Sequence, residues 1–204
     1  MPEHPPRGIL FVHGFAGNRR QYRPIISFLR RHGFTQFYEF SYAQRFGQAP
    51  IAEIAHQLDT FVRTQINENK VDCIAISQGG IIARYFIQRY GERKIRRCIT
   101  LCAPHHGSWM AYLLPWHGVV NLRPASPLLR QLNDADDHTP YYCVWTPFDL
   151  MVVPGWSARL RSAVGNHRVW SLAHPLAVRS RASLRFILNC LEESSPEVTQ
   201  TTSA

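Results

Sequence analysis

The chain has 204 residues, 45% of them hydrophobic, and a formal net charge of +9. This length and hydrophobic content are sufficient for one sizeable core, so we predict a single domain over residues 1–193. Apolar stretches end before the roughly 20 residues that a membrane helix needs, and the first residues lack a signal-peptide pattern. Both features argue against a membrane-spanning protein and predict a cytoplasmic one.

The positive charge comes from arginines that are scattered along the sequence, without a long basic block or a nucleic-acid-binding motif. We therefore predict no nucleic-acid partner. Since a basic surface attracts anionic lipids, peripheral contact with an anionic membrane stays an alternative to an ordinary solvated surface.

The five cysteines are odd in number and show neither CxxC nor His/Cys spacing. Most of them lie inside apolar runs, which predicts buried reduced thiols. We predict neither a metal ion nor another cofactor.

Short β-like runs alternate with amphipathic helical patterns along most of the chain. This alternation is typical of an α/β fold with a mostly parallel central sheet and helices on both faces. The predicted strands are residues 8–12, 36–42, 71–76, 95–101, 141–146 and 168–172. The predicted helices are residues 20–31, 51–67, 79–90 and 180–191, and residues 194–204 are predicted to form a disordered tail.

Residues 104–137 interrupt the alternation of strands and helices. Apolar side chains stand there between prolines and glycines, which predicts a partly helical, lid-like cap segment over one end of the sheet. Acyl chains need hydrophobic walls, so we expect Trp109, Met110 and Leu113 to bind substrate. Plain core packing is the competing interpretation.

The stretch AISQGG, residues 75–80, places Ser77 directly between a predicted strand and a predicted helix. Such an abrupt turn holds a serine in a strained backbone conformation and exposes its hydroxyl above the sheet. Gly79 permits the close approach of helix and strand, whereas Ala75 replaces the first glycine of the usual G-x-S-x-G pattern. The backbone N–H of Gln78, at the helix N-terminus, is a predicted oxyanion donor.

A glycine-rich loop at residues 13–17 follows the first predicted strand. In a parallel sheet this loop opens on the same edge as Ser77. We therefore predict that the N–H of Phe15 faces that of Gln78 and completes an oxyanion hole. An ordinary glycine-rich turn is the alternative.

A serine hydroxyl needs a base to take its proton, and the base needs a third group to orient it. Asp149 follows the strand predicted at 141–146, and His174 follows the strand predicted at 168–172. Their order after Ser77 is the chain order of an α/β-hydrolase triad. His167 precedes its predicted strand, so we expect it at the opposite edge of the sheet.

Several stretches together resemble the α/β-hydrolase superfamily, and within it the bacterial triacylglycerol lipase-like group. The likeness extends over residues 11–175 and rests on the stretches FVHGFAG, AISQGG, TLCAPHHGS, SPLLRQLN, FDLMVVP and LAHP.

The resemblance implies a serine hydrolase that cleaves carboxylic esters of small-molecule or lipid-like acyl substrates. It implies that Ser77 is the nucleophile, Asp149 the acid and His174 the base, with Phe15 and Gln78 forming the oxyanion hole. Acyl transfer, or cleavage of a thioester or amide by the same triad, is an alternative. A catalytically silent hydrolase fold used for binding is a further one.

Overall fold

The structure is a computed structural model that describes residues 7–15, 17, 19–42, 48–171 and 173–193. The tail predicted at residues 194–204 lies outside this part of the chain. In the described residues, six parallel strands form one sheet with the order β2-β1-β3-β4-β5-β6. The strands are β1 Ile9–Val12, β2 Phe37–Phe40, β3 Val71–Ile76, β4 Ile95–Leu101, β5 Tyr141–Trp145 and β6 Gly165–Arg168. The prediction of a mostly parallel sheet is confirmed.

The α-helices of the described residues pack on both faces of the sheet. They are α1 Arg23–Arg31, α2 Ile51–Gln65, α3 Gln78–Phe86, α4 His117–Val120, α5 Pro127–Asp134, α6 His174–Arg179 and α7 Arg181–Glu192. None of them combines the length and the hydrophobicity that crossing a membrane requires.

In the described residues, each face of the sheet carries a hydrophobic core, because side chains alternate between the two faces along each strand. In β1, Leu10 and Val12 pack with α2 and α3, whereas Ile9 and Phe11 pack with α1 and α7. Both faces are therefore buried, as expected for parallel strands that are covered by crossover helices. This confirms the predicted placement of helices on both faces.

The prediction of the last strand at 168–172 was wrong, because β6 spans Gly165–Arg168. As an edge strand β6 is only half covered, and its sequence GNHR contains no aliphatic residue that could have indicated it. The apolar Val169 and Trp170 lie just beyond it. His167 consequently lies within the strand instead of preceding it, and its ring stacks on Phe186 with centroids 4.5 Å apart.

The helix predicted at 180–191 is preceded by an unpredicted helix, α6. Ser180 separates the two, and its hydroxyl accepts a hydrogen bond of 3.1 Å from the N–H of Ser183. This N-cap ends α6 and begins α7. At its other end, α6 starts directly at His174.

Residues 104–137 contain a 3₁₀ helix, Trp109–Tyr112, together with α4 and α5. Arg84 of α3 fastens the end of this cap segment through a buried ion pair of 2.7 Å with Asp137 and a hydrogen bond of 2.6 Å to Asn133. A buried ion pair of this kind fixes the position of a segment even where its net contribution to stability is small.

Candidate active site

Ser77 stands at the turn between β3 and α3 with φ 53° and ψ −127°, a region that few residues other than glycine adopt. Such a conformation costs about 1–3 kcal/mol and persists only when its surroundings hold it. The N–H of Ser77 donates to the carbonyl of Leu101 at 2.8 Å, and its own carbonyl accepts from Gly80 at 2.9 Å. β4 and α3 thus hold the serine at the corner.

Gly79 allows α3 to approach β1 closely enough to form this turn. A Cβ atom at position 79 would lie 2.4 Å from the carbonyl oxygen of Val12 and 2.5 Å from that of His13. Gly14, in the loop after β1, has a similar role, because a Cβ there would lie 2.8 Å from the Cβ of Ser77. The loop after β1 and the serine turn are therefore in direct contact.

We expect Gly79→Ala to lower the free energy of unfolding by about 2 kcal/mol, because backbone oxygens cannot yield to the added methyl group. Denaturant unfolding of the purified protein measures this change. Gly165→Ala in β6 is the matched control, since the nearest atom to a Cβ there is 3.8 Å away. Equal stabilities of the two variants would contradict the packing described here.

Asp149 and His174 form a buried pair at the carboxyl ends of β5 and β6. Nδ1 of His174 lies 2.7 Å from Oδ2 of Asp149, while Oδ1 accepts from the N–H groups of Met151 at 2.8 Å and Val152 at 2.9 Å. Burial alone would raise the pKa of Asp149, but the hydrogen bond and the charge of His174, with the two backbone donors, hold it below its usual value. The carboxylate is therefore charged and oriented toward the imidazole.

The other ring nitrogen of His174 is available to a substrate or a nucleophile. Nε2 is buried and has no hydrogen-bond partner among the described residues. Ser77 and His174 line the same cavity of about 370 Å³. Their side chains are not hydrogen-bonded to each other here, and in ligand-free enzymes such bonds are often long and tighten only when substrate binds.

Ser108, an unpredicted neighbour of the site, connects the loop carrying Asp149 to the cap segment. Its hydroxyl donates to the carbonyl of Met151 at 2.8 Å and accepts from the N–H groups of Val153 at 3.0 Å and Met110 at 3.2 Å. Asp149 is thus held by a network that includes the cap segment.

Cys102 is a second unpredicted neighbour of the pair. Its sulfur and one ligand atom each of Asp149 and His174 lie within 4.8 Å of one another. Burial raises the pKa of the Cys102 thiol, and the charge and hydrogen bonding of Asp149 raise it further. The thiol is therefore protonated beside the ionised carboxylate of Asp149.

The two expected oxyanion donors lie beside the serine. Phe15 and Gln78 line a second cavity together with Ser77, and within the described ranges the backbone N–H of neither residue has a hydrogen-bond acceptor. The N–H of Gly14 donates to Oε1 of Gln21 at 3.2 Å, which anchors the loop after β1. The side chain of Gln78 donates to the carbonyl of Gly118 at 3.3 Å.

This second cavity has a volume of about 320 Å³ and apolar walls. Met110 and Leu113, two of the expected substrate-binding residues, line it. The third, Trp109, does not: its side chain is 61% exposed and lies beside the ring of Tyr112. A larger cavity of about 750 Å³ lies elsewhere, and none of the expected site residues lines it.

Comparison with protein families identifies the chain. The model of the palmitoyl protein thioesterase family matches residues 8–134, which is more than half of the sequence. The chain belongs to this family. The matched part of this thioesterase-family protein includes Phe15, Ser77 and Gln78, but it ends before Asp149 and His174. A search of curated proteins gives no significant match.

Solved structures with low sequence identity share the fold of this member of the palmitoyl protein thioesterase family. Lipase BlEst2 of Bacillus licheniformis is 18% identical with a TM-score of 0.75, over 94% of this chain and 93% of the lipase. Aspergillus fumigatus lipase B is 16% identical with a TM-score of 0.79, over 94% of this chain but 54% of the lipase. A bromoperoxidase from Bacillus anthracis is 10% identical with a TM-score of 0.73, over 94% of each chain. The predicted α/β-hydrolase fold and superfamily are confirmed.

Proposed function

We propose that this protein is a serine hydrolase that cleaves acyl esters, with Ser77 as nucleophile, His174 as general base and Asp149 as the orienting acid. The observation that carries the proposal is the buried Asp149–His174 pair. His174 has an unpartnered Nε2 and lines the same cavity as the strained Ser77. Membership in a thioesterase family supports hydrolytic chemistry in general.

The first half of the reaction forms an acyl-enzyme. The Oγ–H proton of Ser77 moves to Nε2 of His174 while Oγ forms a bond to the substrate carbonyl carbon. Asp149 keeps the proton on Nδ1 and stabilises the imidazolium that results. His174 then donates its Nε2 proton to the leaving group as the bond between carbonyl carbon and leaving group breaks.

Negative charge develops on the carbonyl oxygen during this step. Phe15 and Gln78 line the cavity beside Ser77. Their backbone N–H groups are the donors that we assign to this oxyanion. The N-terminal end of α3 adds a favourable dipole at Gln78. In the second half of the reaction, His174 takes a proton from water while the water oxygen bonds to the acyl carbon. The bond between this carbon and Oγ then breaks, His174 returns the proton to Oγ of Ser77, and the acid leaves.

The acyl chain fits the apolar 320 Å³ cavity, which opens on Ser77. Its volume falls within the range of small-molecule pockets, and the side chains of Met110, Leu113 and Leu114 from the cap segment form part of its wall. Leu113 and Trp109 are also largely exposed. This placement supports a lipid-like acyl substrate, and peripheral contact with an anionic membrane stays a prediction.

We expect the 4-nitrophenyl ester of octanoic acid to have a kcat/KM at least about tenfold higher than the butyrate, because each buried methylene contributes about 0.8 kcal/mol. A Leu114→Ala substitution should reduce this octanoate-to-butyrate ratio, because it removes part of the cavity wall that contacts the acyl chain. Leu184→Ala on α7 should leave the ratio unchanged. A preference for acetate or butyrate in the parent protein would contradict the assignment of the cavity and indicate a short-chain esterase.

Thioester hydrolysis is the second candidate function, and the family match is the observation that favours it. The same serine and histidine can expel a thiolate, which needs less help from a general acid because thiols are much stronger acids than alcohols. Comparing octanoyl oxyester and thioester substrates with matched leaving groups distinguishes the two. A higher kcat/KM for the thioester at equal leaving-group acidity supports the thioesterase.

A further inference from the structure

Exposed apolar side chains concentrate at one edge of the sheet. Of the twelve large apolar side chains that are exposed in the described residues, ten lie in the segments that follow β4, β5 and β6. These segments form the carboxyl edge of the sheet, which carries Ser77 and His174. The two others, Tyr90 and Val164, lie at the amino edge, after α3 and before β6. Such a concentration of exposed apolar surface marks an interaction surface.

This surface is continuous with the mouth of the apolar 320 Å³ cavity. Leu113, Leu150 and Met151 line that cavity and are also 69%, 71% and 47% exposed. The rings of Phe148 and Trp170 lie 5.7 Å apart, which extends the surface from the loop after β5 to the end of β6. We call this surface the apolar rim, and it consists of the exposed apolar residues within 109–113 and 148–151 together with Trp156, Trp170 and Leu176.

The charge around the apolar rim is positive. The segments that carry it, residues 102–123 and 146–179, contain five arginines and one acidic residue. That residue is Asp149, which is buried and paired with His174, so its charge does not face the solvent. Arginines attract an anionic surface through their summed potential, which does not require an unpaired guanidinium group.

Two of these arginines lie over exposed aromatic rings of the rim. The guanidinium carbon of Arg168 is 4.8 Å from the centroid of the Trp170 ring, and that of Arg123 is 5.0 Å from the centroid of the Tyr112 ring. Nε of Arg123 donates to the carbonyl of Ala111 at 3.2 Å, which holds this side chain on the cap segment. Aromatic rings are enriched at membrane interfaces, and arginine is the side chain best suited to phosphates. Each pair therefore matches the boundary between acyl chains and anionic headgroups.

We propose that the apolar rim docks the protein on an anionic lipid bilayer, with the mouth of the apolar cavity facing the acyl chains. The apolar side chains enter the bilayer surface, and the arginines provide the attraction to its headgroups. A bilayer matches both features because it holds acyl chains beneath a layer of charge, and the cavity that opens in the rim has apolar walls. Docking does not require catalysis, whereas passage of an acyl substrate from the bilayer to Ser77 rests on the proposed function.

Cosedimentation with large unilamellar vesicles measures the partition coefficient of the protein. The vesicles consist of phosphatidylcholine alone or of an equimolar mixture with phosphatidylglycerol. The proteins are the parent, Trp170→Ser/Leu176→Ser and Tyr90→Ser/Val164→Ser. The last is the matched control, since it removes two exposed apolar side chains from the amino edge of the sheet. Neither Trp170 nor Leu176 lines one of the three cavities described above, so all three proteins should hydrolyse dissolved 4-nitrophenyl butyrate equally.

We expect the parent to bind the mixed vesicles at least about tenfold more strongly than phosphatidylcholine vesicles, and to lose this preference at high salt. Trp170→Ser/Leu176→Ser should bind the mixed vesicles at least about tenfold more weakly than the parent, because less apolar surface enters the bilayer. The control should bind like the parent.

A parent protein that binds neither kind of vesicle, or both equally, would overturn the proposal. This comparison of lipids needs no substitution, so it holds even if a variant fails to fold. An equal loss of binding in the Tyr90→Ser/Val164→Ser control would overturn it as well. Retained vesicle binding without hydrolysis of any ester would instead overturn the proposed function and leave the docking surface intact.

Discussion

Ser77→Ala is expected to lower kcat/KM for 4-nitrophenyl octanoate by at least about 10⁴-fold, because removal of the nucleophile from a serine triad leaves only binding and oxyanion stabilisation. The fold should persist, since the backbone bonds that hold the turn do not involve the hydroxyl. Steady-state hydrolysis and thermal unfolding, measured on the same preparation, check both expectations.

The matched control for this substitution is Ser27→Ala, which removes an exposed hydroxyl from α1 that bonds to Arg31. It should retain the parental rate. Hydrolysis by Ser77→Ala at the parental rate would show that another group attacks the ester. A large loss of stability in Ser77→Ala would instead show that the hydroxyl has a structural role.

Asp149→Asn is expected to lower kcat by about 10³- to 10⁴-fold with little change in KM. The amide can donate a hydrogen bond to Nδ1 of His174, which favours the tautomer with its proton on Nε2, so the imidazole can no longer accept the serine proton. The control is Asp134→Asn at the exposed end of α5. Parental activity of Asp149→Asn would contradict the role of this carboxylate.

The same substitution changes how stability depends on pH. The pKa of Asp149 is lower in the folded protein than in the unfolded chain, so its ionised form stabilises the fold above the unfolded value of about 3.9. This contribution is lost as pH falls through the folded value. The free energy of unfolding should therefore decrease less steeply with falling pH in Asp149→Asn than in the parent protein.

The central strands could be predicted from the sequence because both of their faces are buried. Every residue of β3 is buried, and a mostly apolar run that is interrupted by Asp72 marked its bounds. The bounds predicted for β4 agree equally well. β6 lacks this signal. It is an edge strand made of Gly165, Asn166, His167 and Arg168, and its position depends on pairing with β5 rather than on its own side chains.

The position of the site was predictable for a topological reason. In a parallel sheet every strand ends on the same edge, so Ser77, Asp149 and His174 share an edge if each of them follows a strand. The support around them was not predictable. Ser108 binds the N–H of Val153, 45 residues further along the chain, and Cys102 contacts Asp149 from the end of β4. Such contacts depend on loop conformations that no local pattern specifies.

Activation of the Ser77 hydroxyl by His174 is the central claim, and labelling with a fluorophosphonate probe tests it most directly. The folded parent protein should react stoichiometrically, and peptide mapping by mass spectrometry should place the label on Ser77. His174→Gln should react at least about 100-fold more slowly, since the general base is missing. A folded parent protein that takes up no label, or carries it on another residue, would contradict the account.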